Sequence, residues 1–153
     1  MELNGDFYVE SSLSKVWGII SDADKFSKCL PNVTDSEIKG DNFRLTFKAD
    51  AKKYTSKFLG AGYLSSLNVK FSAAIKEKQE NKHVLIEGSG STIGLSFSLS
   101  LYLDLAQENE KVHVTWRAKI ELGKMAKLFG EDIVGEAVDD IVKQTIKTLN
   151  SLL

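Results

Sequence analysis

The sequence predicts an α+β fold in which a curved antiparallel sheet of about seven strands surrounds a long C-terminal helix. Apolar and polar residues alternate at the period of a strand through most of the chain up to about residue 122. From about Lys124 the apolar residues recur instead at the spacing of a helix. Two short segments after the first strand also have helical spacing. Since each apolar face must be buried, the sheet is expected to close round the last helix.

The chain is predicted to open with a strand and two short helices. In the strand, the apolar positions are Leu3, Gly5, Phe7 and Val9. Ser11 or Ser12 can cap the first helix. The apolar face of that helix is formed by Leu13, Val16, Trp17 and Ile20. Asp22 or Asp24 can begin the second helix, which ends before Pro31 because a proline disfavours helical geometry in the residue before it.

The middle of the chain is predicted to form antiparallel strands joined by turns at 40–42, 79–82 and 107–110. The strand after the first of these turns has the apolar residues Phe43, Leu45 and Phe47. The clearest strand runs from Ile93 to Leu105, with an apolar residue at every odd position. The next runs from Val112 to Leu122, with an apolar residue at every even position. A helix would scatter these residues round its axis, so the alternation predicts a sheet that is dry on one face.

The C-terminal segment is predicted to be one long helix that begins near Lys124. Its apolar stripe consists of Phe129, Ile133, Val134, Ala137, Val138, Ile141, Val142, Thr145, Ile146, Leu149 and Leu152. Gly130 and Gly135 weaken its start or allow a close approach to a neighbour. No repeat or linker divides the chain, so we expect a single domain over residues 1–153.

Composition excludes several classes of function. The formal net charge is −1 and the pI is about 6.1, so no strong field attracts a nucleic-acid backbone. One cysteine and two histidines cannot form an internal disulfide or a Cys/His zinc site. The N-terminus lacks the pattern of a signal peptide, and no apolar run is long enough to span a membrane, so a cytoplasmic location is expected.

Titratable residues on the strongest strands fall on the polar face, which predicts an interior without an acid or base for catalysis. They are Glu87, Asp104, Glu121, Arg44, Arg117, His113 and His83. The glycines of 88–94 do not have the spacing of a phosphate-binding loop, and the next element is a strand rather than a helix, so this segment predicts a turn or a sharp bend of the sheet. Cys29 has no histidine near it in sequence, which favours a packed core thiol over a nucleophile.

Residues 52–69 depart from the strand period and combine aromatic residues and leucines with lysines. Three interpretations remain open: a long hairpin end, a mobile lid over a cavity, or a segment at a lipid headgroup boundary. The candidate lid residues are Tyr54, Phe58, Leu59, Tyr63 and Leu64.

Three segments resemble the CoxG family of carbon monoxide dehydrogenase subunits: the opening 1–9, the pair Val16–Trp17, and 22–33 with its Cys-Leu-Pro-Asn-Val ending. That family is placed in the START and Bet v 1-like superfamily (SRPBCC), which has a helix-grip fold. The sequence departs from the family at Asn32, where a glycine is usual, and in the length of 52–69.

The resemblance implies a cavity between the sheet and the long helix for an apolar ligand, reached near the short helices and hairpin ends. It also implies links to the maturation or membrane recruitment of molybdenum hydroxylases and to quinone-like lipids. Many family members have a C-terminal anchor, whereas this sequence stops at Leu153 at the end of its predicted helix, so anchoring would need another route.

The leading hypothesis is a carrier without enzymatic activity or cofactor, which binds a lipid or quinone-like molecule and presents it to a molybdenum hydroxylase. Contact with the inner membrane face would be peripheral. The candidate wall residues are Trp17, Phe47, Phe71, Phe97, Leu99, Trp116, Ile133 and Ala137. One alternative is an enzyme of the polyketide cyclase or dehydratase kind, which needs Tyr54, Tyr63 or Glu87 in the cavity. Another is an assembly factor that acts only through its outer surface.

Overall fold

Seven strands and four helices make up the part of the chain that the computed structural model describes, residues 1–49 and 67–153. In chain order they are β1 (Glu2–Val9), α1 (Leu13–Ile20), α2 (Ala23–Cys29), β2 (Val33–Lys39), β3 (Asn42–Ala49), β4 (Leu67–Gln79), β5 (His83–Thr92), β6 (Leu95–Glu108), β7 (Lys111–Glu121), α3 (Met125–Leu128) and α4 (Glu131–Leu152). The predicted lid residues Tyr54, Phe58, Leu59, Tyr63 and Leu64 lie outside the described residues.

The strands form one curved sheet in the order β1-β7-β6-β5-β4-β3-β2, and every neighbouring pair is antiparallel. Consecutive strands from β2 to β7 are neighbours, as hairpin connections require. The fold class predicted from the sequence is confirmed: an antiparallel sheet with a long C-terminal helix and two short helices after β1. Among the described residues, none of the helices is long and apolar enough to cross a membrane.

The two short helices begin where their capping residues predict. Ser12 caps α1, where its Oγ accepts a hydrogen bond from the Lys15 amide at 3.3 Å. Asp22 caps α2, where its Oδ1 accepts from the Lys25 amide at 3.0 Å. Both caps satisfy an amide that has no partner within its own helix, and they fix where the chain turns from β1 towards β2.

The C-terminal helix differs from the prediction at its start. The prediction placed one helix from about Lys124, whereas a short α3 is followed by a separate α4. Gly130 separates the two helices with a φ of 82°, a left-handed conformation that interrupts helical hydrogen bonding. The first residues of α4 are Glu131 and Asp132, whose negative charges suit the N-terminal end of a helix.

Ile93 corrects a second boundary. The alternation predicted that Ile93 is an inward strand residue, but Ile93 and Gly94 form the turn between β5 and β6. Their φ values are 46° and 78°, and the Ile93 side chain is 49% exposed. Two positive φ values at the centre of a two-residue hairpin are typical of a type I′ turn, in which asparagine and glycine are preferred. A β-branched residue is strained there.

Replacing Ile93 by asparagine is therefore expected to stabilise the protein by about 1 kcal/mol, because asparagine adopts the left-handed conformation at lower cost. The midpoint of urea unfolding would measure this gain. Ile93→Val is the matched control, since valine keeps the β-branch and should leave the midpoint nearly unchanged. An equal midpoint for the asparagine and valine variants would contradict the turn assignment.

Candidate functional site

The candidate site is a cavity of about 330 Å³ between the inner face of the sheet and α4. Its sheet wall comes from the inward residues of strands β3 to β7 and from Phe7 on β1. Side chains of α1 and α2 close one part of it, and Met125 and Phe129 close another. Its helix wall consists of Ile133, Val134, Ala137, Val138, Ile141, Val142, Thr145, Ile146 and Leu149.

The cavity lies where the middle of α4 stands away from the sheet. Leu149, near the C-terminal end of the helix, is 4% exposed and belongs to the main core. The other residues of the helix wall remain only partly buried, although they form the apolar stripe predicted from the sequence. In a close-packed interface such a stripe would be buried along its whole length. Near the other end, Ile133, Val134 and Val138 pack on a second apolar cluster that includes residues of β7. The apolar faces of the sheet and the helix therefore meet near both ends of α4 and leave a hollow between them.

Two large aromatic rings of the wall lie over glycines of neighbouring strands. Trp116 on β7 pairs with Gly5 on β1, and a Cβ on Gly5 would lie 2.8 Å from the indole Nε1. Phe97 on β6 pairs with Gly90 on β5, and its ring occupies the space that a Gly90 side chain would need. Because these rings rest against the sheet, their bulk does not extend towards α4.

A row of phenylalanines forms the sheet wall beside these glycines. Phe71 and Phe97 are stacked with ring centroids 6.1 Å apart and an interplanar angle of 6°. Phe43 continues the row with its centroid 6.4 Å from that of Phe71, and Phe26 of α2 lies 6.3 Å from Phe43. Aromatic pairs at these separations stabilise each other beyond simple burial, so this wall is expected to be rigid.

The few polar atoms in the wall are already engaged. The Thr92 hydroxyl donates to the Asn68 carbonyl at 3.0 Å, and the Thr145 hydroxyl donates to the Ile141 carbonyl at 2.7 Å. The Cys29 thiol lies 3.5 Å from the Lys25 carbonyl. Burial raises the pKa of Cys29, so the thiol stays protonated and is a poor nucleophile, as its interpretation as a core residue predicts. The described wall thus offers a ligand a hydrocarbon surface.

Seven of the eight predicted wall residues line this cavity: Phe47, Phe71, Phe97, Leu99, Trp116, Ile133 and Ala137. That they contact a ligand stays a prediction. Trp17 does not line the cavity; it packs as a partly buried residue on the main core. The helical stripe predicts that its residues face the sheet, but it does not predict that the cavity extends as far as Leu149.

Periodicity predicts some of the other wall residues and misses others. Val134, Val138 and Ile141 belong to the same helical stripe as Ile133, so the sequence predicts that they face the same way. Phe26 of α2 and Met125 of α3 belong to short helices whose position against the sheet depends on contacts distant in sequence.

None of the seven titratable residues predicted to face outward lines the cavity. They are Arg44, His83, Glu87, Asp104, His113, Arg117 and Glu121. Glu87, one of three residues that could supply the polar group of the cyclase alternative, is exposed on β5. In residues 1–49 and 67–153 no cluster of three or more histidine, cysteine and acidic side chains could hold a metal ion.

His113 joins three strands on the outer face. Its Nε2 lies 2.7 Å from Asp6 Oδ2 on β1, and its Nδ1 lies 3.0 Å from Glu108 Oε1 on β6. Carboxylates only accept hydrogen bonds, so both contacts are made fully when both ring nitrogens carry protons. The hydrogen bond to Asp6 raises the pKa of His113 most, and burial opposes that increase.

We expect His113 to make stability depend on pH. Its folded-state pKa is raised, so its contribution is fully present below the unfolded pKa of about 6.5 and is lost as pH rises through the folded value. Urea unfolding of wild type and His113→Gln across this range would measure the difference. Asp6→Asn is the control and should reduce the pH dependence in an otherwise wild-type chain. A pH-independent difference between wild type and His113→Gln would contradict the expected linkage.

Known proteins match this chain over nearly its whole length. A family model described as CoxG, a subunit of carbon monoxide dehydrogenase, matches residues 5–153. A conserved protein from Geobacillus kaustophilus has a similar structure, with a TM-score of 0.79 at 15% identity over 99% of this chain and 93% of that one. None of the curated proteins compared with this sequence matches it.

Two further structures are similar in fold. A START superfamily protein from Mycobacterium smegmatis has a TM-score of 0.64 at 12% identity, and the match covers 99% of both chains. The di-domain ARO/CYC protein BexL of the BE-7585A biosynthetic pathway has a TM-score of 0.61 at 12% identity, over 99% of this chain and 49% of its own. At these identities the likeness shows a shared fold.

Proposed function

This chain belongs to the CoxG family of carbon monoxide dehydrogenase subunits, and on that premise we propose that it carries a hydrophobic small molecule in the cavity beneath α4 without transforming it. The observation that supports this most is the described cavity wall, whose hydroxyls are occupied by backbone carbonyls. Such a wall can bury apolar surface, but its described residues offer no general acid or base for a reaction.

Burial of apolar ligand surface would supply the affinity. Each methylene group transferred from water gains about 0.8 kcal/mol, from which the cost of ordering the ligand is subtracted. The predicted contact residues that line the cavity are Phe47, Phe71, Phe97, Leu99, Trp116, Ile133 and Ala137. Since this attraction is not directional, the site would select its ligand by size, shape and lack of polar groups.

The cargo in this proposal is a lipid or quinone-like molecule, and the receiving protein is carbon monoxide dehydrogenase or a related molybdenum hydroxylase. The family description, which names a subunit of that dehydrogenase, supports the choice of partner. Exchange at the inner membrane face would be peripheral, from a cytoplasmic location. A membrane-soluble cargo gives a physical reason for such contact.

An enzyme of the polyketide cyclase kind is the second candidate, because BexL, an ARO/CYC protein, has the same fold. Of the residues this reaction was predicted to need, Glu87 is exposed on β5 and does not line the cavity. Tyr54 and Tyr63 lie outside the described residues. Conversion of a polyketide substrate by wild type, and its loss in Tyr54→Phe or Tyr63→Phe, would favour the enzyme over the carrier.

The two tryptophans of the chain allow a direct test of ligand binding, since Trp116 lines the cavity and Trp17 does not. In Trp17→Phe, a bromine-labelled fatty acid should quench Trp116 fluorescence in a saturable titration. In Trp116→Phe, the same probe should quench Trp17 only weakly, which controls for nonspecific association. Absence of saturable quenching of Trp116, together with only apo protein in native mass spectra after lipid extracts are added, would count against a carrier.

An assembly factor that acts only through its outer surface makes a different prediction. Its binding to a molybdenum hydroxylase would be unchanged when the cavity is filled from the helix side by Ala137→Phe. A carrier with a filled cavity would still meet its partner but would deliver no cargo. Ligand transfer by wild type that is lost in Ala137→Phe, with copurification unchanged, would therefore favour a carrier, and absence of transfer by both proteins would favour the assembly factor.

A further inference from the structure

We propose that the cavity takes a bare hydrocarbon chain, acyl or isoprenoid, and leaves the polar head group of the ligand outside. This inference rests on the proposed carrier function and specifies which part of the cargo enters. Its first support is the chemistry of the wall: Thr92, Thr145 and Cys29 all direct their polar hydrogens to backbone carbonyls. A ligand carbonyl inside would find no free donor among these groups.

The indole N–H of Trp116 is the remaining donor to consider in the described wall. Ideal Cβ placement on Gly5 puts that atom 2.8 Å from Nε1 and 2.9 Å from Cε2 and Cζ2 of the indole. The nitrogen edge of the ring therefore packs against β1. A buried polar group without a partner is costly, so a quinone ring or an ester would be disfavoured in this cavity relative to a methylene chain.

The shape of the cavity favours an elongated guest. Its helix wall extends from Ile133 to Leu149, and the sixteen helical steps between these residues span roughly 24 Å. The rings of Phe97 and Trp116 lie against Gly90 and Gly5 instead of crossing this length. An apolar space of about 330 Å³ that extends this far along a helix fits an extended chain better than a compact ring system.

Probes that separate chain from head group test this inference. The readout in Trp17→Phe is saturable quenching of Trp116 fluorescence by a bromine-labelled fatty acid, and displacement of that fatty acid by unlabelled probes. Decanoic, dodecanoic and tetradecanoic acids should bind with affinity that rises up to about fourfold per methylene until the chain fills the cavity. Menadione, a naphthoquinone without a long tail, should bind at least tenfold more weakly than tetradecanoic acid.

The outcomes distinguish this inference from the proposed function. Tight menadione binding with no dependence on fatty-acid chain length would overturn the chain inference and leave the carrier function standing. Absence of saturable quenching of Trp116 by the bromine-labelled fatty acid, together with no binding of these probes in native mass spectra, would overturn both. Phytol and hexadecanol then separate the two sources of chain, because an isoprenoid site favours phytol and an acyl site favours hexadecanol.

Placement of the head group outside has its own measurement, which requires no cavity variant. Stearic acid with a nitroxide next to its carboxylate should bind about as well as unlabelled stearic acid, since the label remains near solvent. The same acid with the nitroxide near its methyl end should bind at least tenfold more weakly, since the polar label would enter the cavity. Equal affinities of the two labelled acids would overturn this placement.

Discussion

Replacing Gly88 by alanine is expected to lower the free energy of unfolding by about 2 to 3 kcal/mol. A Cβ on Gly88 would lie 2.5 Å from the Ser72 carbonyl oxygen and 2.7 Å from the Ala73 Cβ. Both belong to the adjacent strand β4, and Gly88 pairs directly with Ala73. Because the nearest atom is backbone, the strand itself must move, and a side-chain rotation cannot relieve the clash.

Gly18→Ala is the control for this experiment. Gly18 lies in α1, and a Cβ there would meet no other atom within 4 Å. Alanine is favoured over glycine in a helix by up to about 1 kcal/mol, so this variant should be slightly more stable than wild type. Urea unfolding with unchanged m-values would give both differences. A Gly88→Ala variant as stable as wild type would show that β4 and β5 are not held so closely.

Filling the cavity from the helix side is expected to have the largest effect on binding. In Ala137→Phe the new ring would enter the space that a ligand needs, since Ala137 lines the cavity from α4. If the ring excludes three methylene groups of a fatty acid, the affinity should fall roughly 50-fold. The free energy of unfolding should not fall, because the ring fills an existing hollow. Fluorescence titration at Trp116 and urea unfolding measure the two effects.

Glu136→Phe is the matched control, because it adds the same side chain at an exposed position one residue earlier in α4. Its affinity for the fatty acid should be that of wild type. Equal loss of affinity in both variants would point to a general disturbance of α4, and retention of affinity in Ala137→Phe would place the ligand somewhere other than this cavity.

The inward positions of the strands and the helix caps can be predicted from the sequence because both depend on residues close together in the chain. The odd positions of β3 and the even positions of β7 face the core, where Phe43 is 2% exposed and Val114 is 0% exposed. Of the two candidates predicted for each cap, Ser12 rather than Ser11 caps α1, and Asp22 rather than Asp24 caps α2. The outward direction of Glu87 follows from the same alternation.

The predictions for Ile93 and Trp17 are wrong because the local pattern at each residue is compatible with two different positions in the fold. Ile93 continues the alternation of β6 in phase with Leu95, so nothing in its period predicted a turn, and the residues lack the Asn-Gly signal of a type I′ hairpin. Trp17 shares the apolar face of α1 with buried residues, but the cavity ends before it. Which apolar face borders a cavity and which packs on the core depends on where the elements are placed relative to each other.

The segment 88–94 is predicted to be a turn or a sharp bend of the sheet, and its last two residues, Ile93 and Gly94, do form a turn. The role of its first two glycines is visible only in three dimensions. In the structure Gly88 and Gly90 are both within β5, where they allow close approach of β4 and leave room for the Phe97 ring. The sequence alone could not indicate this pairing, because β4, β5 and β6 come into register only through contacts between strands.

By itself, the sequence determined which side chains turn inward, since a strand repeats every two residues and a helix every 3.6. It also determined that these side chains are almost all apolar. Only the tertiary structure decided that the two apolar surfaces stay apart over the middle of α4 and meet near its two ends, at Leu149 and around Ile133 and Val138. The distance between a helix and a sheet depends on curvature and on packing at their ends, and those contacts join residues far apart in the chain.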